Sequence, residues 1–193
     1  MLILLHCMTS KHIVLDMDGT LISSNDGFQI IPRTHLKEFL HFLFTHPMIE
    51  TVSIWTAASK KWFDEVYENC LRNLLPNGKL FYLIWTEDRC TLKHIYDESK
   101  YGWYQEEQFH VVKKLRKMWK SSSRPHMEHN TIIIDDTPIT YSKNYGNAIR
   151  VKTFEHDEDN ELLLLMKYLD NIILHLSNVR FIEKRWWHGH HAT

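Results

Sequence analysis

The sequence predicts an α/β domain: a central, mostly parallel sheet flanked by helices. Three observations carry that expectation. Short apolar runs alternate with segments of helical periodicity along most of the chain. The first run, Ile13-Val14-Leu15, leads into Asp16 and Asp18, at the strand tip where open parallel sheets gather ligands. The 193 residues, 44% apolar and 24% charged, suit one globular domain with a real core.

Each element follows from local pattern. A strand is expected over 12–17, then a loop rich in Ser, Asn, Asp and Gly over 23–27. Pro32 opens a helix near 33–46, in which Leu36, Phe39, Leu40 and Leu43 share one face. A second strand covers 50–55. Ser59 then caps a helix that runs to about Leu75, before Pro76-Asn77-Gly78. A third strand covers 80–85. Residues 86–105 are polar and aromatic and suggest a hairpin excursion; there Tyr101, Trp103 and Tyr104 either line a peptide groove or pack into the core. A helix is expected over 106–119, a polar loop over 121–125, a fourth strand over 131–134 and a fifth over 147–152. An apolar helix over 160–176 continues toward Trp187. The tail His188-Gly189-His190-His191 reads as a solvated terminus or the remnant of an added tag rather than a metal site. The expected partition is an N-terminal extension over 1–11, one domain over 12–182 and a tail over 183–193.

Composition excludes several classes. A net charge of −1 gives no global pull toward nucleic acid or anionic membrane, so any basic binding surface has to be local. Cys7, Cys70 and Cys90 are far apart and odd in number, which argues for free thiols in a reducing compartment. The apolar start lacks a basic region and is too short to span a bilayer. A cytoplasmic or nuclear protein is therefore expected.

The strand tips supply a chemical constellation. Asp16 and Asp18, two residues apart in an extended segment, point the same way and repel. Thr56-Ala57-Ala58 offers a hydroxyl and unhindered amides before a helix, which suits phosphate. Asp135-Asp136 is a second carboxylate pair, and Lys113 or Lys114 could supply a cation. Singly, these read as an acidic turn, a structural threonine, a helix cap and a solvated face. Together they call for a hard divalent ion, and Mg²⁺ takes carboxylates, carbonyls and phosphate oxygens.

These residues resemble a known family. Asp16-Met17-Asp18-Gly19-Thr20-Leu21 is similar to the first signature of the haloacid dehalogenase (HAD) superfamily of phosphotransferases. Ile54-Trp55-Thr56-Ala57-Ala58, Val112-Lys113-Lys114-Leu115, Ile134-Asp135-Asp136-Thr137-Pro138 and Asn147-Ala148-Ile149 resemble, in order, the later motifs of one branch. That branch holds the NLI-interacting-factor-like phosphatases of the RNA polymerase II C-terminal domain (CTD), the FCP/SCP-like group. The likeness covers about residues 12–182. Met17 and Gly19 stand where the family usually has Leu and Glu, Lys114 where it has Asp, and Asp136 where Asn is common.

The resemblance implies a Rossmann-like HAD fold and a Mg²⁺-dependent phosphomonoester hydrolase. Asp16 would be the nucleophile that forms an aspartyl-phosphate, and Asp18 the general acid and base. Mg²⁺ would be held by the Asp16 carboxylate, the Asp18 backbone carbonyl and Asp136. Thr56, Ala57 and Lys113 would bind phosphate oxygens, with Asp135 orienting Lys113 and Thr20 steadying the loop. Between Leu21 and Pro32 there is room only for a flap, so the enzyme is expected to be essentially capless and open. An open site favours a phosphoserine or phosphothreonine protein as substrate. The rival readings are a nucleotide or nucleic-acid phosphate end as substrate, or a non-catalytic binding module.

Overall fold

The computed structural model of the chain describes residues 10–25, 29–95, 108–121 and 128–191. The strands are β1 (Lys11–Leu15), β2 (Ile22–Asn25), β3 (Gln29–Pro32), β4 (Ile49–Trp55), β5 (Ile84–Trp85), β6 (Thr91–Ile95), β7 (Gln108–Val112), β8 (Thr131–Asp135) and β9 (Ala148–Arg150). The α-helices are α1 (Leu36–Thr45), α2 (Lys60–Val66), α3 (Arg72–Leu74), α4 (Leu115–Ser121) and α5 (Glu161–Asn171). A π-helical turn, Tyr67–Leu71, joins α2 to α3.

Five strands form one sheet in the order β5-β4-β1-β8-β9, with every neighbouring pair parallel. This is the parallel, helix-flanked α/β sheet the sequence predicted. β1 is fully buried at its centre. Its side chains alternate, as a strand requires. Ile13 and Leu15, with Ile132 and Ile134 of β8, join one core with Phe39 and Leu43 of α1, Phe63 of α2 and Leu165 and Leu169 of α5. Val14 and Ile133 face the other way, into a smaller core with Trp55, Trp85, Leu115 and Met118. Both faces are covered, so residues 13–15 of β1 and 132–134 of β8 read as unbroken apolar runs, whereas β4 carries buried Thr51 and Ser53 among its apolar residues.

The helices begin and end where local chemistry dictates. Leu36, Phe39, Leu40 and Leu43 make the buried stripe of α1, which stops at His46, the residue before Pro47, in extended conformation. In α2, the Ser59 side chain accepts from the Trp62 amide at 3.2 Å, an N-cap bond. Among the described residues, no helix is long and apolar enough to cross a membrane.

The insertions are hairpins. β2 and β3 pair antiparallel as a small flap beside the first motif, and β6 pairs antiparallel with β7. The flap occupies what the sequence reads as a loop, and Pro32 ends β3 rather than opening a helix. The excursion is the hairpin expected, but the helix expected over 106–119 is divided: β7 comes first, and only α4 is helical. Phe109, Val111 and Val112 favour a pleated strand, and β6 supplies a partner that local periodicity does not reveal. Lys113 therefore follows a strand tip and precedes the helix.

Three other elements are shorter than expected. Only Ile84 and Trp85 pair regularly with β4; ahead of them, Tyr82 N donates to Val52 O at 2.8 Å and Ile54 N to Leu83 O at 2.9 Å, so the segment already tracks its neighbour. The fifth strand is confined to β9. The last long helix ends at Asn171, where Ile172 leaves the helical region at φ −127°, and continues as short 3₁₀ turns. Cys70 and Cys90 are free thiols, and His188 binds the buried Glu161 carboxylate at 2.8 and 3.0 Å. Cys7, residues 1–9, the aromatics Tyr101, Trp103 and Tyr104, the loop at 122–125 and the side chains of His190 and His191 lie outside the described residues.

One buried cation ties the flap to the rest. Arg33, 1% exposed, donates to Thr20 O at 3.0 Å, to Lys152 O at 2.8 Å and to the Asp159 carboxylate at 2.7 Å. Arg33→Met leaves two carbonyls and a carboxylate without their donor. Urea denaturation is expected to show a loss of about 2–4 kcal/mol, discounted for the part-exposed Asp159.

Candidate active site

Register brings the motifs to one edge. Leu15 pairs with Ile54 on one side and Ile134 on the other, so the residues that follow, Asp16, Trp55-Thr56 and Asp135-Asp136, emerge side by side. The Asp16 amide still donates to Ile134 O at 2.9 Å, which carries the ladder one residue past β1. The chain then turns tightly. The amides of Thr20, Leu21 and Ile22 converge on Met17 O at 3.2, 2.8 and 3.2 Å. Gly19, at φ 74°, lets the turn close, and its amide donates to Ile22 O at 2.8 Å.

Lys113 is the electrostatic centre. It is 1% exposed, and its Nζ donates to Asp16 Oδ1 at 2.5 Å and to Asp135 Oδ2 at 2.8 Å. Asp135 is further satisfied by the Thr140 hydroxyl at 2.7 Å and the Thr137 amide at 2.9 Å. The Lys113 backbone is also fixed: its amide donates to Thr140 O at 2.7 Å, and its carbonyl accepts from Asn144 Nδ2 at 2.5 Å. Burial opposes charge on Lys113, but the Asp16 and Asp135 carboxylates outweigh it and raise its pKa. Lys113 thus stays an ammonium. Burial pushes the Asp16 carboxyl up, to about 7, against the pull of Lys113 and with the Asp135 charge adding to the rise.

Asp16, Asp135 and Asp136 are all buried, and each offers a carboxylate oxygen within 4.8 Å of the others. Asp136 accepts from Thr153 Oγ1 at 2.8 Å and Thr137 Oγ1 at 3.1 Å. When ionised, these three carboxylates face one ammonium and keep an excess of two negative charges. Like charges about 4 Å apart repel by roughly 4 kcal/mol at an effective dielectric near 20. An all-oxygen set with that excess fits a hard divalent cation. The cluster can therefore hold a metal.

Asp18 occupies a separate pocket two residues on. Its Oδ1 accepts from Trp62 Nε1 at 2.8 Å and its Oδ2 from Thr56 Oγ1 at 3.4 Å. Thr56, 1% exposed, in turn accepts from the Ala58 amide at 3.0 Å, while Ala57 is exposed at the site mouth. The Thr20 hydroxyl donates to Asp16 Oδ2 at 3.3 Å. Asp16, Asp18, Thr20, Thr56, Ala57, Lys113, Asp135 and Asp136 thus lie at one end of the sheet. Lys114 does not join them. Five contributors were missed. Trp62, Thr137, Thr140 and Thr153 contact the carboxylates, and Asn144 holds the Lys113 backbone. Extending the strand-tip reasoning to the fifth strand would have found Thr153, and an indole on the first turn after Ser59 would have pointed to Trp62.

The chain is similar to several known proteins. The family model described as NLI interacting factor-like phosphatase matches residues 11–180. CTD phosphatase-like protein 355R of Invertebrate iridescent virus 6 is 27% identical over 190 residues, covering 83% of this chain and 97% of the viral protein. Ubiquitin-like domain-containing CTD phosphatase 1 of Xenopus tropicalis is 25% identical over 185 residues, covering 92% of this chain and 54% of the relative. The human protein of that name gives 25% over 186 residues, with the same coverages. The chain thus spans about half the length of these vertebrate relatives. A solved structure of Fcp1, an essential RNA polymerase II CTD phosphatase, superposes with a TM-score of 0.47 at 15% identity, covering 91% of this chain and 59% of that one.

Two glycines isolate what the carboxylate cluster demands. Gly19 and Gly78 share φ 74°, but a Cβ at Gly19 would meet Asp136 Oδ2 at 2.6 Å, whereas one at Gly78 meets open space. Gly78→Ala is expected to cost about 1 kcal/mol from backbone strain alone. Gly19→Ala is expected to cost roughly 1–3 kcal/mol more, through overpacking against Asp136. Chemical denaturation of the two variants in parallel measures the difference.

Proposed function

The chain belongs to the NLI interacting factor-like phosphatase family, and on that premise we propose that it is a Mg²⁺-dependent phosphoprotein phosphatase working through an aspartyl-phosphate on Asp16. The observation that carries this reading is the Asp16 carboxylate, buried against Lys113 at 2.5 Å, with Asp136 within metal-sharing distance and Asp18 two residues on.

The chemistry divides between the two pockets. In the first step, an Asp16 oxygen attacks phosphorus, the bond from phosphorus to the serine or threonine oxygen breaks, and protonated Asp18 gives its proton to that leaving oxygen. In the second step, Asp18 takes a proton from water, the water oxygen bonds to phosphorus, and Asp16 is released with inorganic phosphate. Trp62 and Thr56 aim the Asp18 carboxyl throughout. Thr56 and the Ala57 amide bind the oxygens that do not transfer. Lys113 neutralises charge on the phosphoryl group and is held in place by Asp135. Thr20 fixes the orientation of Asp16. The Asp16 carboxylate, the Asp18 backbone carbonyl and Asp136 would hold Mg²⁺, which screens the incoming phosphate from these acids.

The substrate class follows from access. Among the described residues, the insertions after the first motif and before Lys113 are hairpins rather than a cap domain, which favours a phosphoserine or phosphothreonine on a polypeptide. The CTD phosphatase relatives support the same class. A cytoplasmic or nuclear location accords with the free thiols of Cys70 and Cys90.

Asp16→Asn keeps the side-chain shape and removes the nucleophile. Its turnover of an aryl phosphate and of phosphopeptides is expected to fall by at least about a thousandfold while the unfolding midpoint stays close to native. Full activity in this variant would contradict the assignment. EDTA is expected to stop turnover, and added Mg²⁺ to restore it and to raise the thermal midpoint of the native protein. Turnover that persists in EDTA would remove the metal from the mechanism.

A further inference from the structure

We propose that a basic cleft beside α4 docks an acidic or phosphorylated stretch of the protein substrate, away from the residue being dephosphorylated; this rests on the phosphatase reading above. The cleft has a volume of about 730 Å³ and lies between α4 and the 142–147 segment. Lys114, Arg116 and Lys143 line it, and none of the three forms an ion pair among the described residues. The acid on its wall, Glu128, is already bound by Arg180 at 2.7 Å. In a chain of net charge −1, this is a local concentration of positive charge. Trp119 and Tyr145 add aromatic surface, on which a peptide can lie.

The cleft is also joined to the catalytic end. Lys114 is the chain neighbour of Lys113, whose ammonium reaches Asp16. Asn144, in the opposite wall, bonds both the Lys113 carbonyl at 2.5 Å and the Leu115 amide at 3.0 Å. The Lys114 and Asn144 end of the cleft is thus the end nearest Lys113, and its Glu128 and Asn147 end precedes β8 and β9. Charge complementarity selects the occupant: three cations suit a few carboxylates or phosphates on a peptide. Nucleic acid calls for a longer basic track than these three cations supply.

The test compares two phosphopeptides that share the reacting phosphoserine and differ in a flanking segment, one acidic and one neutral. For the native chain, the acidic flank is expected to lower KM by roughly tenfold. In the Arg116→Glu/Lys143→Glu double variant, both sites being exposed, that advantage is expected to vanish while aryl phosphate kcat/KM stays unchanged. No advantage in the native chain, or one that survives in the variant, overturns the proposal. Should the double variant unfold, Arg116→Ala/Lys143→Ala replaces it, with the same outcomes. Fluorescence anisotropy with the labelled acidic phosphopeptide is expected to give weaker binding to the variant than to the native chain. An oligoribonucleotide of equal charge that displaces this peptide as well as the peptide itself does would also overturn the proposal. If the native chain fails to hydrolyse the aryl phosphate, the phosphatase reading fails by itself, and the anisotropy comparison still decides the cleft.

Discussion

The site depends on one buried ammonium. Lys113 sits between Asp16 and Asp135, residues that reach it from 97 and 22 positions away in the chain. Without it, two acids at adjacent strand tips would confront each other in a medium that screens them poorly. With it, both are anchored and Asp16 keeps one oxygen directed at the cation. Much of the surrounding structure holds this lysine in place. Thr140 bonds its amide and its partner Asp135, and Asn144 bonds its carbonyl and the first amide of α4. The ion pair is better understood as a positioning device than as a source of stability, since removing two charges from water costs as much as their attraction returns.

Around that centre the acids are sorted into two environments. Asp16, Asp135 and Asp136 share one cluster that retains excess negative charge, which a divalent ion can relieve. Asp18 is turned into another pocket, where an indole N–H and a threonine hydroxyl hold it. In the proposed mechanism Asp16 is the nucleophile and Asp18 the proton carrier, and the two pockets hold their carboxyl groups apart. Gly19 closes the tight turn that follows Asp18, and the close approach of Asp136 explains why a side chain does not fit there.

The parts of this arrangement that were legible in the sequence are the locally encoded ones. Apolar runs with acids at their ends identified β1 and β8, and Ser59 marked the start of α2. Strand tips gave Asp16, Asp18, Thr56, Asp135 and Asp136. The errors came where a distant partner decides. The segment before Lys113 has helical periodicity taken alone, but pairing with β6 makes it a strand. Ile84 and Trp85 are all that pairs regularly of a longer apolar run, because β5 is an edge with one neighbour. Trp62, Thr140, Asn144 and Thr153 were missed because their roles arise from which side chain they meet across the fold, and a lone threonine or asparagine carries no motif.

The central claim is that Asp16 takes the phosphoryl group. Rapid acid quench of the native chain during turnover of a radiolabelled phosphopeptide, followed by mapping of the labelled fragment, tests it most directly. The account predicts acid-stable, hydroxylamine-labile label on the segment that contains Asp16, and on that residue within it. Label on Asp18 or elsewhere, or turnover that leaves no labelled protein at any quench time, would contradict it.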